Sequence, residues 1–322
     1  MFLAIRCLKQ LAEEHGIDFL IALRVLLKDF YADNVITGDD NLEKDIELQK
    51  KLTDLLAKGQ FHLRKWRTND DHQTLSHFME ESKAEELLVI NKDAPLKTLG
   101  VLWNHKEDFL QYDVKQAKTG PVTKRSVLSQ IAQIYDPLGL LGPVMIVAKI
   151  MMQQLWTLNL EWDESLPQEL HSKWKIYQSS WSQLNSLKIP RKIKEKSSTE
   201  IIIHGFSDAS ERAYGACLYA VTCDSDGNFQ SHLLCAKSRV APLKTITIAK
   251  LELNAALLLG NLYKTAKDAL KDRIKLGRLW CNSNIVIQWI CTCPSTLKIC
   301  SKPSFSDTDS RFTRRLAACT IS

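Results

Sequence analysis

Residues 201–221, IIIHGFSDASERAYGACLYAV, hold two apolar runs around a polar tip, and the first run delivers one carboxylate, Asp208, to its end. The β-branched and aromatic content predicts two adjacent strands joined by a short turn, with Asp208 at the close of the first. Two later segments answer this one. Ile248 to Leu262 reads as a helix whose positions are almost all apolar or small, so it belongs largely in a core, yet it keeps Glu252. A charged group taken from water without a partner is costly, so a buried helix that retains one invites a functional explanation. Leu279 to Ile290, LWCNSNIVIQWI, sets polar Asn282 and Ser283 between apolar runs and predicts a third polar junction.

A strand-end Asp, a buried-helix Glu and a polar strand–helix junction together resemble the ribonuclease H-like fold. The phrases FSDASERAYGACLY, KSRVAPLK, LELNAALL and YDPLGLLGPV resemble more closely the Pol polyprotein of BEL/Pao-type long-terminal-repeat retrotransposons, over roughly Phe2 to Ile290. The resemblance implies reverse transcription, with the RNA strand of an RNA–DNA hybrid degraded by the ribonuclease H part. That hydrolysis uses two divalent ions ~3.5–4 Å apart, and magnesium calls for hard oxygen ligands. Carried over residue by residue, Asp208 matches the first-strand ligand and Glu252 the helix ligand. Asn282 falls where the family segment has Asp, and it offers one neutral carbonyl oxygen in place of a carboxylate. The resemblance therefore implies a catalytically impaired centre with magnesium its ancestral cofactor; an active ribonuclease H that tolerates Asn282, and a non-enzymatic nucleic-acid- or protein-binding scaffold, stay open beside it. No fourth carboxylate presents itself, since Asp307 and Asp309 lie in a degenerate tail. Plainer roles stay open: Asp before Ala-Ser can cap a turn, and a Glu in a first helical turn gains a few tenths to ~1 kcal/mol from the macrodipole.

The resemblance also fixes an expected organisation. Residues 1–105 form the C-terminal remnant of a reverse-transcriptase palm, 106–195 a helical thumb or connection, 196–293 a ribonuclease H-like mixed-sheet domain, and 294–322 the tail. The expected fold class is α/β. In the palm remnant, Tyr31, Ala32 and Asp33 match the hairpin motif Tyr-x-Asp-Asp, with Asn34 in place of its second Asp. An upstream palm strand with its carboxylates is missing, so no polymerase activity is expected. Phe61 to Asn69 and Leu96 to Asn104 read as strands; the base–aromatic interleaving of His62 to Arg67 suits either a template contact or an edge strand.

Local patterns supply the helices. Leu3, Cys7 and Leu11 share one face of the first, and Leu42 to Ala57 is amphipathic with Gly59 as its stop. Val127, Leu128, Ile131 and Ile134 share a face, Asp136-Pro137-Leu138-Gly139 breaks that helix, and Pro143 starts another through Leu158. Ser165-Leu166-Pro167-Gln168 reads as a capping box for a third. Leu170, Trp174, Tyr177, Trp181, Leu184 and Leu187 make its packed stripe, a core rather than a base-stacking platform. The polar run 191–200 reads as a linker.

Composition narrows the partners. Residues 1–100 hold 14 Lys and Arg against 18 Asp and Glu, the remainder 29 against 19, so the basic two-thirds suits a phosphate backbone. Nine cysteines without CxxC or zinc-type Cys/His spacing point to reduced thiols, in the cytoplasm or nucleus. The N-terminus lacks a secretion signal, and Gly142-Pro143 and Lys149 interrupt the most apolar run, so no membrane partner is expected. Some relatives of this type carry a peptidase label, but no Asp-Thr/Ser-Gly triplet occurs here, which argues against proteolysis.

Overall fold

A computed structural model of the chain describes residues 2–31, 34–39, 41–63, 66, 68–69, 96–98, 101–115, 120–193, 200–270 and 273–292. The chain is mixed α/β and divides into two compact units, Met1–Gln111 and Tyr112–Ser322.

The first unit begins with α1 (Phe2–His15), a 3-10 turn and α2 (Leu20–Lys28). A hairpin of β1 (Phe30–Tyr31) and β2 (Asn34–Val35) follows, then α3 (Leu42–Lys58). Asn41 caps α3 by accepting the Glu43 amide at 2.8 Å, and Gly59 closes it. Leu8, Leu11, Ala12, Ala22, Val25 and Leu52 build the helical core. Leu11 lies in that core, but Leu3 is 75% exposed and Cys7 is exposed too: the face of α1 that meets its neighbours passes through Leu8 and Ala12 instead. The described residues between Phe61 and Asn69 form no strand. Leu63 and Trp66 pack onto the helices, so these apolar side chains anchor a connection rather than alternate across a sheet. The expected strand Leu96 to Asn104 doubles back: β3 (Leu96–Thr98) pairs antiparallel with β4 (Val101–Asn104), and β4 with β5 (Phe109–Gln111).

The second unit has a helical part and a sheet. Thr123 accepts the Ser126 amide at 3.2 Å and Ser126 Oγ accepts the Thr123 amide at 2.9 Å, a reciprocal cap that opens α4 (Lys124–Ile131). The cap expected at Ser165 does not form; α6 (Gln168–Ser179) starts on Pro167 with no side-chain cap, and Ser165 bridges Thr123 instead. Between them runs α5 (Gly142–Thr157) with Pro143 in its first turn. Val127, Leu155, Trp174, Trp181 and Leu184 fill this core, while Leu128 and Leu187, expected on the same faces, lie about four-tenths exposed. After the short β6 (Ile189–Pro190) come residues 191–200, of which 194–199 lie outside the described residues.

β7 (Ile201–Ala209), β8 (Ala213–Cys223), β9 (Phe229–Val240) and β10 (Ile274–Cys281) form one mixed sheet in the order β10-β7-β8-β9. β7 to β9 are an antiparallel meander, and β10 returns parallel to β7 through the long α7 (Ile248–Leu270), with α8 (Asn284–Cys291) last. Alternation along the strands sorts the two faces. Ile201, Ile203, Ala216, Leu218 and Ala220 join Leu258, Leu259 and Tyr263 of α7 in the core. The helical part meets the sheet at its β9 edge, where Ala236 donates its amide to the Leu138 carbonyl at 2.8 Å. Gly139 sits at φ +72°, and a Cβ there would come 1.8 Å from the Ala236 carbonyl oxygen, so the loop after α4 reaches β9 only with glycine at this place. Among the described residues, no helix is long and apolar enough to cross a membrane, and six cysteines are free thiols.

Candidate functional site

Because β7 and β10 run parallel, their C-terminal ends lie side by side: Cys281 is the register partner of Ser207. One residue further on, Asn282 Nδ2 donates to Asp208 Oδ1 at 3.3 Å, and the same oxygen accepts the Ala209 amide at 2.8 Å. Both side chains are exposed. Asn282 is held from two directions, by the strand it follows and by Ser283, which is buried and caps α8 by accepting the Val286 amide at 3.4 Å. On the other side of Asp208, Gly215 is its partner on β8 and Ser238 comes next on β9.

Glu252 reaches this end of the sheet from α7. It is half-buried and stands in the second turn, since the first turn carries no acidic residue; stabilisation by the helix N-terminus therefore does not explain it. Burial pushes the Cys281 thiol above its ordinary value, and the negative charge of Glu252 adds to that push. Glu252 thus acts electrostatically on the residue next to Asn282. The turn-cap role considered for Asp208 belongs to its neighbour: Ser210 accepts the Ala213 amide through its hydroxyl at 3.2 Å and donates its own amide to the Ala213 carbonyl.

The donor set is two carboxylates and one amide. Among the described residues, no three His, Cys, Asp or Glu side chains stand close enough to hold a metal. The Asn282 amide turns an N–H toward the Asp208 oxygen, the atom a cation would need. As they stand, these residues do not fit a two-ion magnesium site, which depends on concentrated negative charge.

Asn34 lies in the first unit, exposed, and pairs with Tyr31 across the hairpin; Asp33 lies outside the described residues, as do Arg64, Lys65, Arg67 and the tail from 293. Two features of the site's surroundings have no local signal in the sequence. One is the Cys281–Glu252 interaction. The other is Lys149 of α5, whose Nζ donates to the Ser238 carbonyl at 3.1 Å across 89 residues of chain.

Residues 123–283, half of the chain, match the family model described as the Pao retrotransposon-like RNaseH-like domain. No curated protein matches. Among solved structures, the chain is similar to the foamy viral protease-reverse transcriptase dRH in complex with double-stranded DNA, at 11% identity and a TM-score of 0.42, over 83% of this chain and 41% of that one. It is also similar to the foamy viral protease-reverse transcriptase in complex with double-stranded DNA, at 11% identity and a TM-score of 0.40, over 94% of this chain and 54% of that one. The chain thus spans about half of those proteins or less. The family match contains the whole strand-end arrangement from Asp208 through Glu252 to Asn282, and on that match the chain belongs to the Pao retrotransposon-like RNaseH-like domain family.

Proposed function

We propose that this chain serves as the ribonuclease H-like part of a BEL/Pao-type retrotransposon Pol polyprotein, engaging RNA–DNA hybrids at the Asp208 end of its sheet, with cleavage impaired. Asp208 and Glu252 stand at the positions of ancestral magnesium ligands, and Asn282 at a third that needs a carboxylate. The observation that carries this reading is the hydrogen bond from Asn282 Nδ2 to Asp208 Oδ1. It occupies an Asp208 oxygen with an amide N–H, and it leaves the strand-end pair with one negative charge fewer than two carboxylates would have. A two-ion centre would supply activated water and steady the leaving oxygen; with Asn282 in place of a carboxylate, Asp208 and Glu252 lack the charge to hold it.

The test is cleavage of a labelled RNA–DNA hybrid by the whole chain with magnesium or manganese, beside Asn282→Asp. The expected result is little or no cleavage by the natural chain and a clear gain in the variant. Equal, ready cleavage by both would show an active ribonuclease H that tolerates Asn282. Hybrid binding without cleavage by either, in folded protein, would leave a nucleic-acid-binding scaffold and remove Asn282 as the limiting lesion.

A further inference from the structure

One end of the sheet collects more than the acidic site. The C-terminal ends of β7, β9 and β10 and the start of β8 lie together there, and the loop from β9 leads directly into α7. Across the strands, Asn282, Asp208, Gly215 and Ser238 form one rank. Two interstrand spacings separate Asp208 from Ser238, about 10 Å. At the Ser238 end of that rank stands the Lys149 ammonium, anchored on the Ser238 carbonyl at 3.1 Å. Lys237 and Arg239 flank Ser238 along the edge strand, with their side chains on the α7 face, opposite that of Ser238. Arg212 lies on the β7–β8 tip, where its carbonyl accepts the Ala241 amide, and Lys244 lies in the loop beyond.

All five cations are exposed, and among the described residues none is in an ion pair with a carboxylate. At the opposite end of the sheet, Lys275 is paired with Glu200. Glu211 shares the tip with Arg212. Asp136, which acts on Lys149, already accepts from the Tyr112 hydroxyl and the Leu140 and Leu141 amides at 2.9 Å each. Burial holds the Lys149 ammonium below its ordinary value; Asp136 opposes this, and the like charge of Lys237 adds to it. Two exposed cations that repel one another across a strand edge form a place for an anion, and a phosphodiester backbone supplies anions at regular spacing.

We infer that the β9 edge and α5 together form a backbone-binding lane, in which Lys149, Lys237 and Arg239 hold the phosphates of a nucleic acid strand that passes around the β9 edge toward the Asp208 end of the sheet. The inference rests on the nucleic-acid reading above and adds to it a direction of approach and a second part of the fold. The helical part contributes to binding through Lys149. Contacts of this kind read the backbone and not the bases, so they hold different sequences equally.

The test is fluorescence anisotropy of a labelled RNA–DNA hybrid with the whole chain across a salt series, for three proteins. They are the natural chain, the triple variant Lys149→Gln/Lys237→Gln/Arg239→Gln, and a control, Lys264→Gln/Lys267→Gln, changed far along α7. Removal of three phosphate contacts should make the slope of log affinity on log salt shallower by about two to three, with affinity at low salt falling on the order of tenfold or more. The control should match the natural chain. A triple variant with unchanged slope and affinity would overturn the lane and leave the nucleic-acid reading standing. A natural chain that binds no hybrid at low salt would overturn both.

Discussion

Gly205 and Asp208 stand three residues apart on β7, and opposite constraints hold them. A Cβ at Gly205 would lie 2.7 Å from side-chain atoms of Leu259 and Leu279 and 2.8 Å from Leu218. Asp208 is exposed, and its side chain meets Asn282, just past β10, through one hydrogen bond of 3.3 Å. The middle of the strand therefore tolerates little change in volume, while its end tolerates a change in charge. Exchange of amide and carboxylate at position 282 should cost the fold almost nothing, because the side chain is exposed.

The largest effect on stability is expected at Gly139. Gly139→Ala would place a methyl group against the Ala236 backbone at a positive φ, so both the clash and the left-handed strain apply. We expect a loss of about 2–5 kcal/mol, read as a lower urea midpoint for the whole chain. Gly205→Ala should cost less, roughly 1–3 kcal/mol, because the atoms it meets are the mobile ends of leucine side chains. Should either variant unfold at the natural midpoint, the packing half of the contrast is wrong.

These positions also mark how far the sequence could be read. The strand from Ile201, the buried helix from Ile248 and the polar junction at Asn282 follow from period and composition, and the structure has all three. The resemblance pointed to Asp208, Glu252 and Asn282, and the fold brings them to one end of a sheet. The misreadings share a cause. Phe61 to Asn69 and Leu96 to Asn104 look extended locally, but one packs its apolar side chains onto helices and the other turns back on itself. Ser165 has the letters of a cap and is taken by a bridge to Thr123. Lys149 and Ser238 are 89 residues apart, and no local pattern joins them.

A smaller effect belongs to the open face of the same strand. His204 Nδ1 accepts the Trp280 indole N–H at 3.3 Å, and burial, with Arg278 second, holds the imidazole below its ordinary value. The folded chain therefore binds this proton less readily than the unfolded chain. The stability this contributes is complete above the unfolded value near 6.5 and is lost as pH falls through the depressed folded value. Thermal melting between pH 7.5 and 5 should show a modest decline that His204→Gln reduces, since an amide oxygen can accept the indole N–H without titrating. A decline of equal size in the variant would place the titrating group elsewhere.

Asn282→Asp should move stability least and chemistry most. Both side chains at the strand ends are exposed, so without metal the change should stay within ~0.5 kcal/mol. Its direction should be downward, because a hydrogen bond becomes a meeting of two carboxylates. Magnesium reverses that sign if the positions are ligands: an ion that binds only the folded chain stabilises it by mass action. The melting temperature of Asn282→Asp should therefore rise with magnesium while that of the natural chain stays nearly flat. Adding Glu252→Gln should erase the rise, since residues serving the same ions cannot act additively. If Asn282 only joins β10 to α8, Asp will serve as well and magnesium will move neither protein. Identical magnesium responses from the natural chain and the single variant would remove the ligand role of position 282, whatever the cleavage assay reports.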